Sequence, residues 1–223
     1  MTEPVMRKLE MLKKYLEGLD SVAVAFSGGV DSAFLLKTAH DVLGEKAVIT
    51  RDAKEIMAAD HVILPGVGAF GDAMEKLHQY GLVQVIKDVT DKGIPFLGIC
   101  LGLQLLFESS EECAGVEGLG ILRGRIVKLP EDKGLKIPHI GWNSLQYPNK
   151  GRLFAGVPEE SYVYFVHSYY LQAAEPEIVT AATEYAEYIH ASVEKDNVFA
   201  CQFHPEKSSD VGMRILKNYL SIS

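Results

Sequence analysis

The stretch Ile94-Pro95-Phe96-Leu97-Gly98-Ile99-Cys100-Leu101-Gly102 reads as a buried strand turning sharply into a helix, with a cysteine at the turn. A short apolar run bounded by turn residues is what a strand covered on both faces requires. Glycines on either side of Cys100 remove the Cβ atoms that crowd a strand-to-helix elbow. A helix beginning at Leu101 aims its free N–H groups and its positive end at the sulfur, and both favour thiolate over thiol. The competing reading of Cys100 is inert core filling, because free cysteine is among the most buried residue types.

Far downstream, Val198-Phe199-Ala200-Cys201-Gln202-Phe203 is another apolar strand, and it ends in His204-Pro205-Glu206. A cysteine nucleophile needs an imidazole to take its proton, and the imidazole needs a carboxylate to fix its tautomer and stabilise its charged form. His204 and Glu206 meet those needs in order. Pro205 lacks a backbone donor and has a fixed φ, so it ends the strand between them. Without Cys100 the same residues would read as a solvated surface turn.

Outward from these segments the chain alternates strands and helices. Val22–Phe26 and Ala47–Thr50 are short apolar strands; Ala33–Leu43 carries apolar residues at helical spacing and is closed by Gly44. A leading helix over Val5–Leu19 shows one apolar stripe. His61–Leu64 reads as a strand, Asp72–Asp88 as largely helical and Val211–Ile222 as a closing helix. Beyond Gly118, the segments Ile121–Leu129, His139–Tyr147, Tyr162–Tyr170 and Ile178–Glu194 are rich in branched and aromatic residues, the pattern of antiparallel hairpins. A chain of 223 residues fits one large α/β domain.

These segments resemble the triad-type (class I) glutamine amidotransferases, and within them the glutaminase subunits of imidazole glycerol phosphate synthases. The likeness covers residues 52 to 223 and rests on five motifs in order. They are Ile63-Leu64-Pro65-Gly66-Val67-Gly68-Ala69-Phe70, Gly98 to Phe107, Lys136-Ile137-Pro138-His139-Ile140-Gly141-Trp142-Asn143, Phe165-Val166-His167-Ser168-Tyr169-Tyr170, and Gln202 to Ser208. The resemblance implies a three-layer, doubly wound, mainly parallel α/β sheet of flavodoxin-like type, with additional antiparallel β-hairpins in the C-terminal half. It implies Cys100, His204 and Glu206 as the triad, and Gln104, Ser168 and Tyr169 around a substrate glutamine. It also places an oxyanion site between Gly66-Val67-Gly68 and the N–H of Leu101. A barrel-shaped synthase subunit is the implied partner, with Trp142, Asn143 and Lys207 at the contact. For Gln104, a helix residue bonded within its own surroundings is the alternative; for Trp142, a core aromatic; for Lys207, a solvated charge.

Residues 1–50 resemble a different family, the PP-loop ATP pyrophosphatases, and most nearly a sulfur-transfer member. The likeness is carried by Ser27-Gly28-Gly29-Val30-Asp31-Ser32 after the Val22–Phe26 strand. Unpaired N–H groups in such a loop cradle phosphate, with hydroxyls from Ser27 and Ser32 and a cap or metal role for Asp31; a plain βα turn is the alternative. A whole nucleotide domain takes about 100 to 200 residues, so this segment is read as a piece exchanged into the glutaminase fold, joined near Thr50. The expectation is an engineered composite whose glutaminase activity is weak or uncoupled. A catalytically silent scaffold and a phosphate-binding module are the other readings.

Thirty acidic residues against 22 basic give a net charge of −8, which argues against nucleic acid as a partner. The most apolar stretch, residues 94–107, is too short and glycine-broken to span a bilayer, and a cytoplasmic protein is expected. Cys100, Cys113 and Cys201 form no disulfide pattern, and Cys201 reads as strand filling. The histidines show no metal-ligand spacing. His139 and His167 are assigned to turns or packing, and no cofactor or metal is expected.

Overall fold

The computed structural model describes residues 22–25 and 47–223. The Ser27–Ser32 loop and the helices expected over Val5–Leu19 and Ala33–Leu43 lie outside the described residues. In chain order the elements are strands β1 (Val22–Ala25) and β2 (Ala47–Thr50), helix α1 (Ala53–Ala58), β3 (His61–Gly66), α2 (Phe70–Gln79), α3 (Leu82–Asp91), β4 (Phe96–Cys100) and α4 (Leu101–Leu105). There follow β5 (Ser109–Ser110), β6 (Gly124–Lys128), β7 (His139–Ser144), β8 (Tyr162–His167), β9 (Tyr169–Ala173), β10 (Val179–Tyr185), β11 (Glu187–Lys195), β12 (Val198–Cys201) and α5 (Ser209–Leu220).

The main sheet has seven strands in the order β10-β11-β12-β4-β3-β1-β2. From β12 to β2 every neighbouring pair is parallel, and the β10–β11 hairpin extends the sheet antiparallel to β12. Two small sheets, β5-β6-β9 and β7-β8, carry the remaining strands. This is the α/β architecture with a largely parallel sheet and C-terminal antiparallel hairpins that the sequence implied.

The centre of the sheet is buried on both faces, because every residue of β3, β4 and β12 is buried. Successive side chains point to opposite faces, and the two cores sort accordingly. Val62, Leu64, Phe96 and Ala200 join the core under α2 and α3, whereas Ile63, Leu97, Phe199 and Cys201 join the one under α5. Each fully buried large apolar side chain contributes roughly 1.5–3 kcal/mol, which explains why these strands read as continuous apolar runs. From α5, Tyr219 reaches across that second core. Its Oη lies 2.7 Å from the Val62 carbonyl and 2.8 Å from the Pro95 carbonyl, tying the last helix to β3 and to the residue leading into β4.

Two segments are finer than their pattern showed. The largely helical Asp72–Asp88 is divided into two helices, because Gly81 adopts φ +66°, a left-handed turn between α2 and α3. The strand-rich Tyr162–Tyr170 is likewise divided at Ser168: β8 pairs antiparallel with β7, and β9 pairs antiparallel with β6 in another sheet.

Candidate active site

The three parallel strands at the centre of the sheet deliver the site at their carboxyl ends, where open α/β sheets hold ligands. β4 ends on Cys100, directly opposite Gly66 at the end of β3. On the other flank β12 ends at Cys201, paired one residue earlier with Ile99, and the chain continues through Gln202 and Phe203 to His204. The strand stops three residues before His204, so Pro205 opens a 3-10 turn (Pro205–Lys207) instead of ending the strand.

Cys100 itself carries the backbone strain of the elbow, with φ +56° and ψ −110°. A non-glycine residue there costs on the order of 1–3 kcal/mol and persists only where its surroundings hold it. The neighbouring glycines remove Cβ atoms that would crowd the elbow, as the sequence suggested. A Cβ on Gly102 would lie 1.9 Å from the Leu64 carbonyl oxygen, and one on Gly98 would lie 2.7 Å from the Gly102 oxygen. They let the helix seat against the strands, while the turn's unusual geometry falls on the cysteine. The helix is also short, ending at Leu105. Its contribution at the sulfur is therefore the unpaired N–H groups of its first turn, not a long macrodipole.

His204 Nδ1 lies 2.7 Å from Glu206 Oε1, and the two side chains are only 3% and 2% exposed. His204 Nε2 meets no partner at hydrogen-bonding geometry, yet Cys100 is near enough to act on the ring electrostatically. Apo catalytic contacts are often loose in this way. Burial is the largest influence on His204 and lowers its pKa, but Cys100 and Glu206 together outweigh it and raise the value to about 10. The arrangement suits an imidazolium facing the cysteine. Ser208, fully buried, fixes the turn: its Oγ donates to the His204 carbonyl at 2.6 Å and accepts the Tyr164 N–H at 3.0 Å.

A cavity of about 280 Å³ opens over the sulfur, lined by Val67, Gly68, Cys100, Leu101, Gln104, Glu112, Val166, His167, Ser168, Tyr169 and His204. Most of the residues singled out for substrate thus meet in one place. Gly66 lies outside the lining; a Cβ there would sit 2.8 Å from the Leu101 Cβ, so its place is close packing against the helix. Gln104 is buried, and its Nε2 donates to the Tyr169 carbonyl at 3.2 Å and to Gln202 Oε1 at 3.0 Å. The partner-contact candidates stand elsewhere. Trp142, 48% exposed on β7, packs edge-on against Tyr164 and is no core aromatic. Asn143 Oδ1 meets His139 Nε2 at 2.9 Å, and Lys207 closes the turn after Glu206.

Sequence reasoning missed Gln202, Ser208 and the cavity positions of His167 and Glu112. Gln202 carried a signal: a polar residue in an otherwise apolar buried strand must find partners. His139 stacks on Tyr185, its ring centroid 3.8 Å away, and its Nδ1 meets His167 Nε2 at 3.1 Å. Burial first, and then His139, hold the His167 pKa down to about 3. Burial raises the Cys201 thiol well above its ordinary value, with Glu206 and Cys100 adding to the effect, so that thiol is inert. Among the described residues no group of three or more His, Cys, Asp or Glu is placed to hold a metal ion. No helix among them is long and apolar enough to cross a membrane.

Comparison with known proteins places this geometry in a lineage. The class-I glutamine amidotransferase family model matches residues 40–222, reaching back past the junction expected near Thr50. The chain is 50% identical over 191 residues to the imidazole glycerol phosphate synthase subunit HisH of Moorella thermoacetica, covering 86% of this chain and 90% of that one. It is also 50% identical over 191 residues to the HisH subunit of Caldanaerobacter subterraneus, covering 86% and 93%. A crystal structure of a glutamine amidotransferase, 19% identical, superposes with a TM-score of 0.68 over 89% of this chain and 97% of that chain, a likeness of fold. With its fold, its family match and these identities, the chain belongs to the class-I glutamine amidotransferase family, in the branch of the HisH subunits.

Proposed function

We propose that the chain is the glutaminase subunit of an imidazole glycerol phosphate synthase, hydrolysing L-glutamine to glutamate and ammonia for histidine biosynthesis. The observation that carries the reading is a strained cysteine beside a buried histidine–carboxylate pair, at the floor of one cavity. Cys100 attacks the glutamine carboxamide as a thiolate. The oxygen gains negative charge, and the N–H groups of Leu101 and of the Val67-Gly68 segment that follows β3 receive it. His204 then protonates the departing nitrogen, the carbon–nitrogen bond breaks, and ammonia leaves a thioester on Cys100. Water, losing a proton to His204, attacks the thioester; the carbon–sulfur bond breaks, and glutamate and the thiolate are restored. Glu206 holds the ring in the tautomer that puts Nε2 toward the sulfur. Gln104, Ser168 and Tyr169 hold the substrate from the cavity wall.

The ammonia passes to a synthase partner that docks on the β7–β8 side. Ile140, Trp142 and Tyr162 support this surface, at 54%, 48% and 59% exposed, with Asn143 and Lys207 nearby. A single α/β domain is part of the same reading, supported by the membership of β1 and β2 in the main sheet, and a cytoplasmic location is proposed with it. The composite origin of residues 1–50 and a phosphate cradle at Ser27–Ser32 rest on the sequence motif, and calorimetry with ATP and pyrophosphate tests the cradle. Glutamate release, measured with and without a synthase subunit, tests the main reading. Turnover that the partner stimulates and Cys100→Ser abolishes is expected; release that survives the substitution would overturn it.

A further inference from the structure

The sulfur of Cys100 has a second neighbour besides the triad. Gln202, fully buried, places its side-chain Nε2 at 3.7 Å from Sγ. The direction of that amide follows from proton accounting along a chain that ends on the backbone. The Tyr169 carbonyl can only accept, and it takes His167 Nδ1–H at 2.9 Å and Gln104 Nε2–H at 3.2 Å. The other Gln104 N–H must find an acceptor, and it points at Gln202 Oε1, 3.0 Å away. With its oxygen so engaged, Gln202 can present only its nitrogen to the sulfur. A side-chain amide is ambiguous by itself; here a carbonyl that cannot flip sets both glutamines.

We propose that Gln202 is a positioning residue for the cysteine, donating an N–H to the sulfur and holding it as a thiolate in line with the cavity. The proposal rests on Cys100 being the nucleophile. A donor to a charged acceptor favours the charged form. The Val166 carbonyl, 3.9 Å from Sγ, pulls the other way, since it can only accept an S–H. Gln202 therefore offsets a contact that stabilises the thiol. The titratable groups around the sulfur are His204 with Glu206 behind it, the neutral Cys201 on β12, His167 at the end of β8, and Glu112 across the cavity. The carboxylate of Glu112 is engaged by the Phe70 N–H at 2.8 Å. Gln202 stands behind the cavity lining, and its amide makes the hydrogen-bonding contact to Sγ that Gln104, in the lining, does not.

The test is site-resolved alkylation of the native full-length chain with iodoacetamide across neutral to alkaline pH, read by mass spectrometry at Cys100, with partly buried Cys113 as an internal reference thiol. Gln202→Met keeps the volume and removes the donor. Gln202→Glu keeps the acceptor for Gln104 and places a carboxyl group at the sulfur, so it serves where the methionine variant does not fold. In both, the pH midpoint of Cys100 alkylation rises by about one unit, a tenfold change in the thiol–thiolate balance. In Gln202→Met the high-pH plateau rate also rises about threefold, since a more basic thiolate is the better nucleophile. A residue that merely packs would leave both quantities alone. Unchanged midpoints in both variants, with a reactive wild-type Cys100, overturn this inference alone. A wild-type Cys100 no more reactive than Cys113 overturns the nucleophile reading itself.

Discussion

Glu206→Gln removes one negative charge from a carboxylate 2.7 Å from His204 Nδ1, in a place where both side chains are almost wholly buried. Burial pulls the histidine down, and Cys100 and Glu206 lift it from its ordinary 6.5 to about 10. An opposite charge at this range supplies roughly 1–3 pKa units. The variant's imidazolium is therefore destabilised by about 1.4 to 4 kcal/mol. The sign with pH follows from linkage: the folded-state value lies above the unfolded one, so the stabilisation is fully present below 6.5 and is lost as pH climbs to about 10. Urea unfolding of wild type and variant across that window is the assay. The difference between them should be largest at the acid end, shrink steadily, and vanish at the alkaline end, where the wild type holds a carboxylate beside a neutral ring. Turnover should fall on the order of 10³-fold, because the ring loses the partner that orients it. A stability difference equal at both ends of the window would refute the argument, since it would mean that Glu206 acts by packing and not by charge.

Three further outcomes follow from the geometry. At the elbow, Cys100→Gly should be more stable than Cys100→Ala by about 1 kcal/mol, the reverse of the usual order, because φ +56° strains alanine and not glycine; thermal unfolding of the two inactive variants decides it. Gly102→Ala should cost at least about 3 kcal/mol, beyond ordinary overpacking, since the new Cβ meets a backbone oxygen that no rotamer change can move; denaturant midpoints measure it. Tyr219→Phe removes the hydroxyl shared by the Val62 and Pro95 carbonyls and should lower stability by about 1–2 kcal/mol while leaving Cys100 alkylation unchanged.

Much of the sheet was legible because its signal is local. β3, β4 and β12 are buried on both faces, so their residues are almost all apolar; Ala47–Thr50 stood out as a strand by its apolar, branched residues, although it forms the edge of the sheet with Val48 and Ile49 exposed. The breaks were less visible. Nothing in Tyr162–Tyr170 announces that Ser168 divides strands of two different sheets, because both halves keep the branched and aromatic character of strand residues. The helix split at Gly81 needed only one left-handed residue, and a lone glycine inside a helical pattern is often tolerated. Roles that depend on contact were hidden most. Gln104 faces the cavity but spends its N–H groups on Tyr169 and Gln202, and the reach of Gln202 to the sulfur exists only once β12 lies beside β4.

By itself the sequence determined which residue types could do the chemistry and that they sit at the ends of apolar strands: a cysteine between glycines, and a histidine and a carboxylate about a proline. It also determined the α/β alternation, since helical and strand periodicities are written in neighbouring residues. Only the tertiary structure decided that the elbow's strain falls on Cys100 and that the glycines' missing Cβ atoms would have met the backbone of Leu64 and Gly102. It alone decided that the carbonyl of Tyr169 orients an amide at the sulfur, and that His204 stays charged while His167 stays neutral in the same cavity. The reason is physical: composition and period act between residues a few positions apart, whereas strain, proton direction and pKa are set by groups that meet only when distant segments close on one another.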